Sequence, residues 1–200
     1  MSPDRATPGR LFVLVGPSGS GKDSLIAWLK AAMPDRHPLR FVRRTITRPA
    51  DAGGEDHQAM SPDDFEIARE SGRFCLTWQA HGLSYGIPAD LRDHVGNGGV
   101  ALMNGSRHAL DELFAAFPDA SVLSIHVEPA ELARRLAGRG REDAEAIAAR
   151  LRRQDGGLGG WPVHAVIDNS GPLHVAGQRL ASLVADALAA QRSKVLATLP

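Results

Sequence analysis

The chain has 200 residues, of which 43% are hydrophobic, and its formal net charge at pH 7 is zero. This size fits one domain spanning residues 1–200, and the neutral charge gives no global reason to expect binding to nucleic acid or to an anionic membrane. Cys75 is the only cysteine, which excludes an intrachain disulfide, and because no segment resembles a signal peptide or a membrane span, we expect a cytoplasmic protein.

Apolar runs along the chain alternate with helical patterns. In chain order, the runs predict strands at Leu11–Val15, Val100–Met103, Val122–Val127 and Ala165–Ile167. Helices are predicted to begin at Lys22, at Ser61, near Ser106, at Pro129, at Glu142 and after Pro172. This alternation predicts an α/β fold with a parallel β-sheet flanked by helices. We expect its core at residues 10–40 and 98–190.

The segment between the first strand and the first helix is rich in glycine and ends in a lysine. Glycine lets successive backbone N–H groups curve around a phosphate, the helix start adds a positive dipole end, and Lys22 supplies a charge for the outer phosphates. An ordinary glycine-rich turn is the alternative, which the flanking strand and helix disfavour. We therefore predict a P-loop that binds ATP through Gly16, Pro17, Ser18, Gly19, Ser20, Gly21, Lys22, Asp23 and Ser24.

The residue after the P-loop lysine is Asp23, where a serine or threonine that binds Mg²⁺ is usual. A carboxylate beside a triphosphate is repulsive unless a cation lies between them. Asp23 therefore either binds Mg²⁺, directly or through a water, or only suits the first helical turn by its charge. The sequence leaves both possibilities open.

Residues 40–88 interrupt the alternation and resemble the acceptor-binding region of guanylate kinases. The resemblance rests on Arg44–Pro49, Gly54-Glu55, Phe65, Gly72–Phe74 and Gly82–Gly86. It extends to Glu131–Gly140 and Arg150-Leu151, which resemble the arginine-bearing lid of that family, here placed at residues 134–150. The resemblance implies that residues 40–88 form an insertion that binds the phosphate acceptor.

This chain departs from guanylate kinases at the positions that bind GMP. The second phosphate-binding arginine of that family is missing from residues 50–53, and His57 stands where the family has a tyrosine. Leu76 aligns with the glutamate that binds the guanine edge, and Arg44 aligns with the serine that assists it. An alkyl group leaves the polar edge of a base unpaired, which disfavours GMP as the acceptor.

The altered residues are similar to those of the ribose 1,5-bisphosphate phosphokinase family of phosphonate breakdown. The matching segments are Gly16–Ser24, Thr47–Pro49, Trp78–Gly82 with Tyr85-Gly86, and Asn104–Arg107. The resemblance implies transfer of the γ-phosphoryl group of ATP to the 1-phosphate of ribose 1,5-bisphosphate, giving 5-phosphoribosyl diphosphate and ADP. The residues expected to bind this phosphorylated sugar are Arg44, Arg48, His57, His81, Tyr85, Asn104 and Arg107.

A phosphate oxygen is already an anionic nucleophile, so the implied reaction needs alignment and charge neutralisation more than a general base. We expect Lys22 and Mg²⁺ to stabilise the β- and γ-oxygens of ATP. Arg139, together with Arg135 or Arg150, is expected to close over the transferring group as part of the lid.

Two other functions fit parts of the sequence: a guanylate-type nucleoside monophosphate kinase and a non-catalytic guanylate-kinase-like binding module. Leu76 disfavours the first, and the retained P-loop lysine and lid arginines disfavour the second. Individual candidates also have structural alternatives. The lid arginines could be a solvated helix face, His57 and His81 could be hydrogen-bonded structural residues, and Tyr85 could pack in the core.

Overall fold

The computed structural model describes residues 9–33, 38–50, 55–138, 158 and 160–197 of the chain. The strands in these ranges are β1 (Arg10–Val15), β2 (Leu39–Phe41), β3 (Thr45–Ile46), β4 (Gln58–Ala59), β5 (Phe74–Ala80), β6 (Leu83–Pro88), β7 (Val100–Asn104), β8 (Ser121–His126) and β9 (Ala165–Asp168). The α-helices there are α1 (Lys22–Ala32), α2 (Pro62–Glu70), α3 (Leu91–Gly96), α4 (Leu110–Ala116), α5 (Pro129–Ala137) and α6 (Leu173–Ala197).

A parallel sheet forms the centre of the molecule, with the strand order β2-β7-β1-β8-β9. The central strand β1 is buried on both faces, which explains its unbroken apolar run. Phe12 and Leu14 point to the face covered by α1 and α6, whereas Leu11, Val13 and Val15 point to the face covered by α4 and β5. Helices therefore flank the sheet on both sides.

A smaller sheet, ordered β4-β3-β6-β5, lies beside the parallel sheet. Its longest pairing is the antiparallel hairpin of β5 and β6, in which Trp78 lies opposite Tyr85. Leu76, Trp78 and Ile87 of this hairpin pack in the same hydrophobic cluster as the residues of β1 that face α4. This shared core holds the small sheet in a fixed position against the large one.

The structure confirms the predicted α/β class and all four predicted strands, with changes of one residue at their ends. The run predicted at Val122–Val127 is β8, Ser121–His126, because Val127 already lies past the last strand pairing. The helix expected near Ser106 begins as a 3₁₀ turn, Arg107–Ala109, before α4. The helix start predicted at Glu142 lies outside the described residues.

The helix starts at Lys22, Ser61 and Pro129 and after Pro172 are confirmed. At α2, the Ser61 Oγ accepts a hydrogen bond of 3.1 Å from the Asp64 backbone N–H, as an N-cap residue does. The sequence did not predict β2, which has only three residues and pairs on one side only, with β7. It also did not predict the short helix α3.

In the part of the chain that the structure describes, no helix combines the length and the apolar character needed to span a membrane.

Candidate active site

The candidate site lies where β1 and β7 end side by side. These strands pair in parallel, with Leu14 opposite Asn104, so the glycine-rich loop after β1 and the residues after β7 meet at the carboxyl edge of the sheet. After β1 the chain continues to β2, at one edge of the sheet, whereas after β7 it continues to β8, on the other side of β1. Ligands of open parallel sheets bind in the crevice where the connections diverge in this way.

A cavity of about 360 Å³ opens at this edge. It is lined from one side by the glycine-rich loop and the start of α1, and from the other by the small sheet and the segment after β7. The lining residues are Gly16–Gly19, Gly21–Ser24, Arg44, Arg48, Glu55, Trp78, Ala80, His81, Tyr85 and Asn104–His108. The phosphate loop and the predicted acceptor residues thus share one cavity.

The glycine-rich loop has a backbone that requires glycine at two positions. Gly19 and Gly21 have φ angles of 90° and 85°, which residues with a Cβ rarely adopt. A Cβ at Gly21 would also lie 2.6 Å from the Nδ2 of Asn169, which donates a 2.7 Å hydrogen bond to the Ser20 carbonyl. Asn169, at the end of β9, therefore holds the loop in its curve.

Lys22 is folded back against the loop. Its Nζ donates hydrogen bonds of 2.8 Å to the Gly16 carbonyl and 3.0 Å to the Pro17 carbonyl. Burial lowers the pKa of Lys22 to about 8, although the negative charge of Asp23 partly offsets this effect. Because burial has removed much of the water around the Lys22 ammonium group, an anion bound at the loop would stabilise its positive charge.

Arg44 and Glu55 form a buried ion pair in the acceptor half of the cavity. The side chains are only 9% and 13% exposed, and the Arg44 Nε lies 3.0 Å from the Glu55 Oε2, with a second contact from Nη2 to Oε1. The guanidinium carbon of Arg44 lies 5.2 Å from the ring centroid of Tyr85 and 5.7 Å from that of Trp78. The planar group is therefore held at its edge by a carboxylate and on its face by aromatic rings.

Asn104 connects this pair to the start of α1. Its Nδ2 lies 2.6 Å from the Asp23 Oδ1 and 3.3 Å from the Glu55 Oε2, while its buried Oδ1 has no hydrogen-bond partner within the described ranges. Two further buried donors lack a partner among the described residues, the Arg48 Nε and the Trp78 Nε1. Buried polar atoms without partners are uncommon, and a bound ligand would satisfy them.

His81 occupies a strained position at the tip of the β5–β6 hairpin. Its φ angle is 54°, and that of Gly82 is 74°, as in a two-residue turn with positive φ at both positions. Such strain in a residue other than glycine is typical of functional positions. The His81 ring lies 6.4 Å from the ring of His108, edge to face, and both residues line the cavity.

Among the predicted acceptor residues, Arg44, Arg48, His81, Tyr85, Asn104 and Arg107 line the cavity, and His57 does not. His57 is 4% exposed, and its ring nitrogens lie 3.0 Å from the Glu55 carbonyl and 3.2 Å from the Arg48 carbonyl. The ring thus connects the two cavity residues through their backbones. Of the predicted ATP-binding residues, only Ser20 is missing from the lining, and it is fully buried under the loop.

Of the three lid arginines predicted to act on the transferring group, Arg139 and Arg150 lie outside the described residues, and Arg135 lies within them. It donates to the Glu131 carboxylate at 2.6 Å and to the Asn169 carbonyl at 2.8 Å. A Cβ added to Gly21 would lie 3.7 Å from its Nη1, which puts Arg135 beside the phosphate loop. Hydrogen bonds from Arg134 and Arg135 lower the pKa of Glu131 to about 2.

Six residues of the cavity lining were not predicted as site residues: Glu55, Trp78, Ala80, Gly105, Ser106 and His108. Glu55 was noted only as part of a matching segment, since nothing in the sequence shows which arginine a glutamate will meet in the fold. The structure brings it to Arg44 and Asn104, so that it is the second carboxylate of the cavity beside Asp23. His108 follows the matched segment that ends at Arg107.

No protein-family model matches the chain. Curated proteins do match it along most of its length. It is 44% identical over 170 residues to a ribose 1,5-bisphosphate phosphokinase of Agrobacterium fabrum, a match covering 85% of this chain and 93% of that protein. The corresponding protein of Desulfomicrobium baculatum is 43% identical over 88% of this chain and 94% of its own length. The chain belongs to the ribose 1,5-bisphosphate phosphokinase family.

A third relative shows the same unit inside a longer protein. The bifunctional ribose 1,5-bisphosphokinase-thymidine phosphorylase of Azorhizobium caulinodans is 50% identical over 73% of this chain, which corresponds to 21% of that protein. The family assigned from the motifs of the P-loop, the hairpin and the segment after β7 is therefore confirmed.

Solved structures define the fold of this phosphokinase family member. A guanylate kinase from Anaplasma phagocytophilum superposes with a TM-score of 0.64 over 90% of this chain and 86% of that one, at 18% sequence identity. A sugar kinase from Janibacter sp. HTCC2649 gives a TM-score of 0.51 over 92% of this chain and 98% of that one, at 20% identity. The guanylate-kinase-like fold that the sequence predicts is confirmed.

Proposed function

We propose that the protein transfers the γ-phosphoryl group of ATP to the 1-phosphate of ribose 1,5-bisphosphate, giving 5-phosphoribosyl diphosphate and ADP, in phosphonate utilisation. The observation that carries this proposal is the shared cavity, in which Lys22 and the phosphate loop face Arg44, Arg48 and Arg107. Curated relatives named for this phosphokinase activity support it. Because the activity consumes ATP, we infer a cytoplasmic location.

The acceptor half of the cavity suits a phosphorylated sugar better than a nucleobase. Leu76, aligned with the base-binding glutamate of guanylate kinases, is 5% exposed and packs in the hydrophobic core. The Leu76 side chain does not line the cavity. Because this residue is a leucine, the chain has no carboxylate at the position that binds the purine edge in guanylate kinases. Arginines and histidines line the cavity instead, as an acceptor with two phosphates requires.

The chemistry is an in-line displacement at phosphorus. An oxygen of the acceptor 1-phosphate forms a bond to the γ-phosphorus of ATP, while the bond from that phosphorus to the β,γ-bridging oxygen breaks and ADP leaves with the electron pair. The nucleophile is already anionic, so no residue has to remove a proton. The protein's contribution is to align the two phosphates and neutralise their charge.

Separate residues serve the donor and the acceptor in this proposal. Lys22 leaves the Gly16 and Pro17 carbonyls and binds the β- and γ-oxygens of ATP. The acceptor is bound by Arg44, Arg48, His81, Tyr85, Asn104 and Arg107. His57 contacts the backbone carbonyls of Arg48 and Glu55. Arg135, beside Gly21, contributes positive charge together with Arg139 and Arg150. The division into a core, an insertion at 40–88 and a lid at 134–150 stays a prediction.

The donor atoms of the cavity fit a magnesium ion bound with the nucleotide. No group of three or more His, Cys, Asp or Glu side chains in the described residues could hold a metal by itself. Mg²⁺ commonly takes one or two carboxylates and completes its coordination with phosphates and water, and the Asp23 carboxylate lies in the cavity next to Lys22. When bound, the ion would neutralise phosphate oxygens. We propose that Asp23 holds it.

Substitution of Asp23 tests this role. We expect Asp23→Ala to weaken the apparent affinity for Mg²⁺ by about 10-fold or more, since it removes an oxygen ligand, and Asp23→Ser to weaken it less, since serine supplies the hydroxyl ligand that is usual at this position. The measurement is ATP binding by calorimetry at a series of Mg²⁺ concentrations. Asp63→Ala is the control, because Asp63 lies in the first turn of α2, outside the cavity. An unchanged Mg²⁺ dependence in both Asp23 variants would leave Asp23 only its helix-start role.

The proposed activity itself is tested by measuring ADP release from ATP with a panel of acceptors. We expect turnover with ribose 1,5-bisphosphate and at least about 10³-fold lower kcat/KM with GMP, because GMP lacks its base-binding carboxylate here. The product, 5-phosphoribosyl diphosphate, is identified by ³¹P NMR. Turnover with GMP alone would instead favour a guanylate-type kinase.

A further inference from the structure

The acceptor cavity contains two hydrogen-bond acceptor positions that no donor in the described residues fills. The first is the Asn104 Oδ1. Asn104 is 7% exposed, lies at the end of β7 and lines the cavity, and its Oδ1 is buried without a partner among the described residues. A buried carbonyl oxygen that lacks a donor destabilises the unliganded protein, which a ligand with a suitable donor would relieve.

The neighbours of the Asn104 amide decide which of its atoms is the nitrogen. The Nδ2 lies 2.6 Å from the Asp23 Oδ1 and 3.3 Å from the Glu55 Oε2. A flipped amide would set its oxygen against two carboxylate oxygens, and three acceptors would then face one another without a proton between them. The oxygen therefore belongs at the position without a partner.

The second open acceptor is on Glu55. Each carboxylate oxygen accepts about two hydrogen bonds. The Oε2 receives the Arg44 Nε at 3.0 Å and the Asn104 Nδ2 at 3.3 Å, which uses both of its positions. The Oε1 receives only the Arg44 Nη2 from the described residues. One acceptor position thus remains on a carboxylate whose side chain is 13% exposed, next to Asn104.

A phosphate cannot satisfy these two acceptors. Phosphate groups carry no proton to donate when fully ionised, and a buried carboxylate repels their charge. Hydroxyl groups donate, and a carboxylate commonly binds the hydroxyls of a ribose in nucleotide sites. Two neighbouring acceptors among the cations Lys22, Arg44, Arg48 and Arg107 therefore match a ligand that has adjacent hydroxyls between anionic ends.

We propose that Glu55 and Asn104 bind the ribose hydroxyls of the acceptor, and that Glu55 is the residue by which the site distinguishes ribose from 2-deoxyribose. This inference rests on the proposed function and identifies which part of the substrate these residues contact. The cations bind the two phosphates, and the Glu55–Asn104 pair fixes the sugar between them. Asp23 remains on the donor side, where its Oδ1 orients the Asn104 amide.

The test compares two acceptors with the unaltered protein. Initial rates of ADP release are measured with ribose 1,5-bisphosphate and with 2-deoxyribose 1,5-bisphosphate. We expect kcat/KM to be about 10- to 100-fold higher for the ribose compound, because the deoxy compound leaves the open acceptor position of Glu55 unfilled. Equal kcat/KM for the two sugars would overturn the inference while leaving the phosphokinase activity intact. Turnover of neither sugar would overturn the proposed function and this inference with it.

The variant Glu55→Gln assigns the preference to one side chain. Glutamine has the same shape but is a weaker, neutral acceptor, so we expect the ribose preference to fall by about 10-fold while the KM for ATP stays within about two-fold. Glu66→Gln, on the exposed face of α2, is the matched control and should keep the full preference. A ratio in Glu55→Gln within about two-fold of the unaltered protein would overturn the assignment to Glu55. Should Glu55→Gln not fold, Asn104→Ala is measured in its place, with the same fall expected and an unchanged ratio overturning the role of the pair.

Discussion

Replacing Lys22 with methionine is expected to lower kcat by about 10³-fold, the scale of a preorganised donor that stabilises charge in a transition state. Methionine keeps most of the side-chain length but removes the ammonium group, which already lies against the loop at Gly16 and Pro17. The measurement is single-turnover ADP formation at saturating ATP and ribose 1,5-bisphosphate. This design separates loss of chemistry from loss of binding.

Lys30 offers a matched control on the same helix. It lies in the last turn of α1, is exposed, and has its Nζ 5.6 Å from the centre of the Phe41 ring, away from the cavity. Lys30→Met should therefore leave kcat within about two-fold, since substitutions at exposed positions have small effects. A loss in Lys22→Met that appears only as a higher KM for ATP would contradict a role in the transition state.

The lowered pKa of Lys22 gives the same residue a pH signature. Below about pH 8 the Lys22 ammonium of the free protein is protonated, and above about pH 8 it loses its proton. Since kcat/KM for ATP reports the ionisation of the free protein, it should fall above about pH 8. Lys22→Arg keeps its charge in this range, so its kcat/KM should not show this fall.

Replacing Arg44 with methionine is expected to lower the free energy of unfolding by about 3 to 5 kcal/mol. The substitution leaves the Glu55 carboxylate buried without its cation, which is the costly way to break an ion pair. Urea unfolding, followed by circular dichroism, measures the change. The double variant Arg44→Met/Glu55→Met should recover most of the loss, because it removes both charges together.

The neighbouring residue provides the control for this prediction. Arg43 is paired with Asp56 at 2.8 Å, but these side chains are 59% and 64% exposed. Water solvates Asp56 after Arg43 is removed, and the one other bond lost is that from the Arg43 Nη2 to the His57 carbonyl, so Arg43→Met should cost about 1 kcal/mol or less. Equal losses in Arg43→Met and Arg44→Met would show that burial of the Arg44–Glu55 pair does not govern its contribution.

Arg43 and Arg44 also show where prediction from sequence ended. The parallel sheet and the phosphate loop could be predicted because their signals are local: an unbroken apolar run, a glycine pattern and a helix start. Nothing local distinguishes two adjacent arginines, one of which is 59% exposed while the other is 9% exposed. The difference arises from tertiary contacts, because Arg44 lies against Glu55, Trp78 and Tyr85.

The same reason explains the other differences between sequence and structure. The edge strand β2 is stabilised by β7, some 60 residues later, rather than by its own sequence pattern. Glu55 became a site residue only when the fold brought it to Arg44 and Asn104. Patterns near in sequence were therefore predictable, and contacts between distant segments were not.

The hydrogen bond from Asn169 to the Ser20 carbonyl joins residues 149 positions apart. During synthesis on the ribosome, the glycine loop therefore emerges well before the side chain that supports it, which follows 149 residues later. Contacts of such long range form late, since closing a large chain segment is entropically costly. We therefore expect the loop to reach its full nucleotide affinity only after Asn169 has been synthesised and has folded against Ser20.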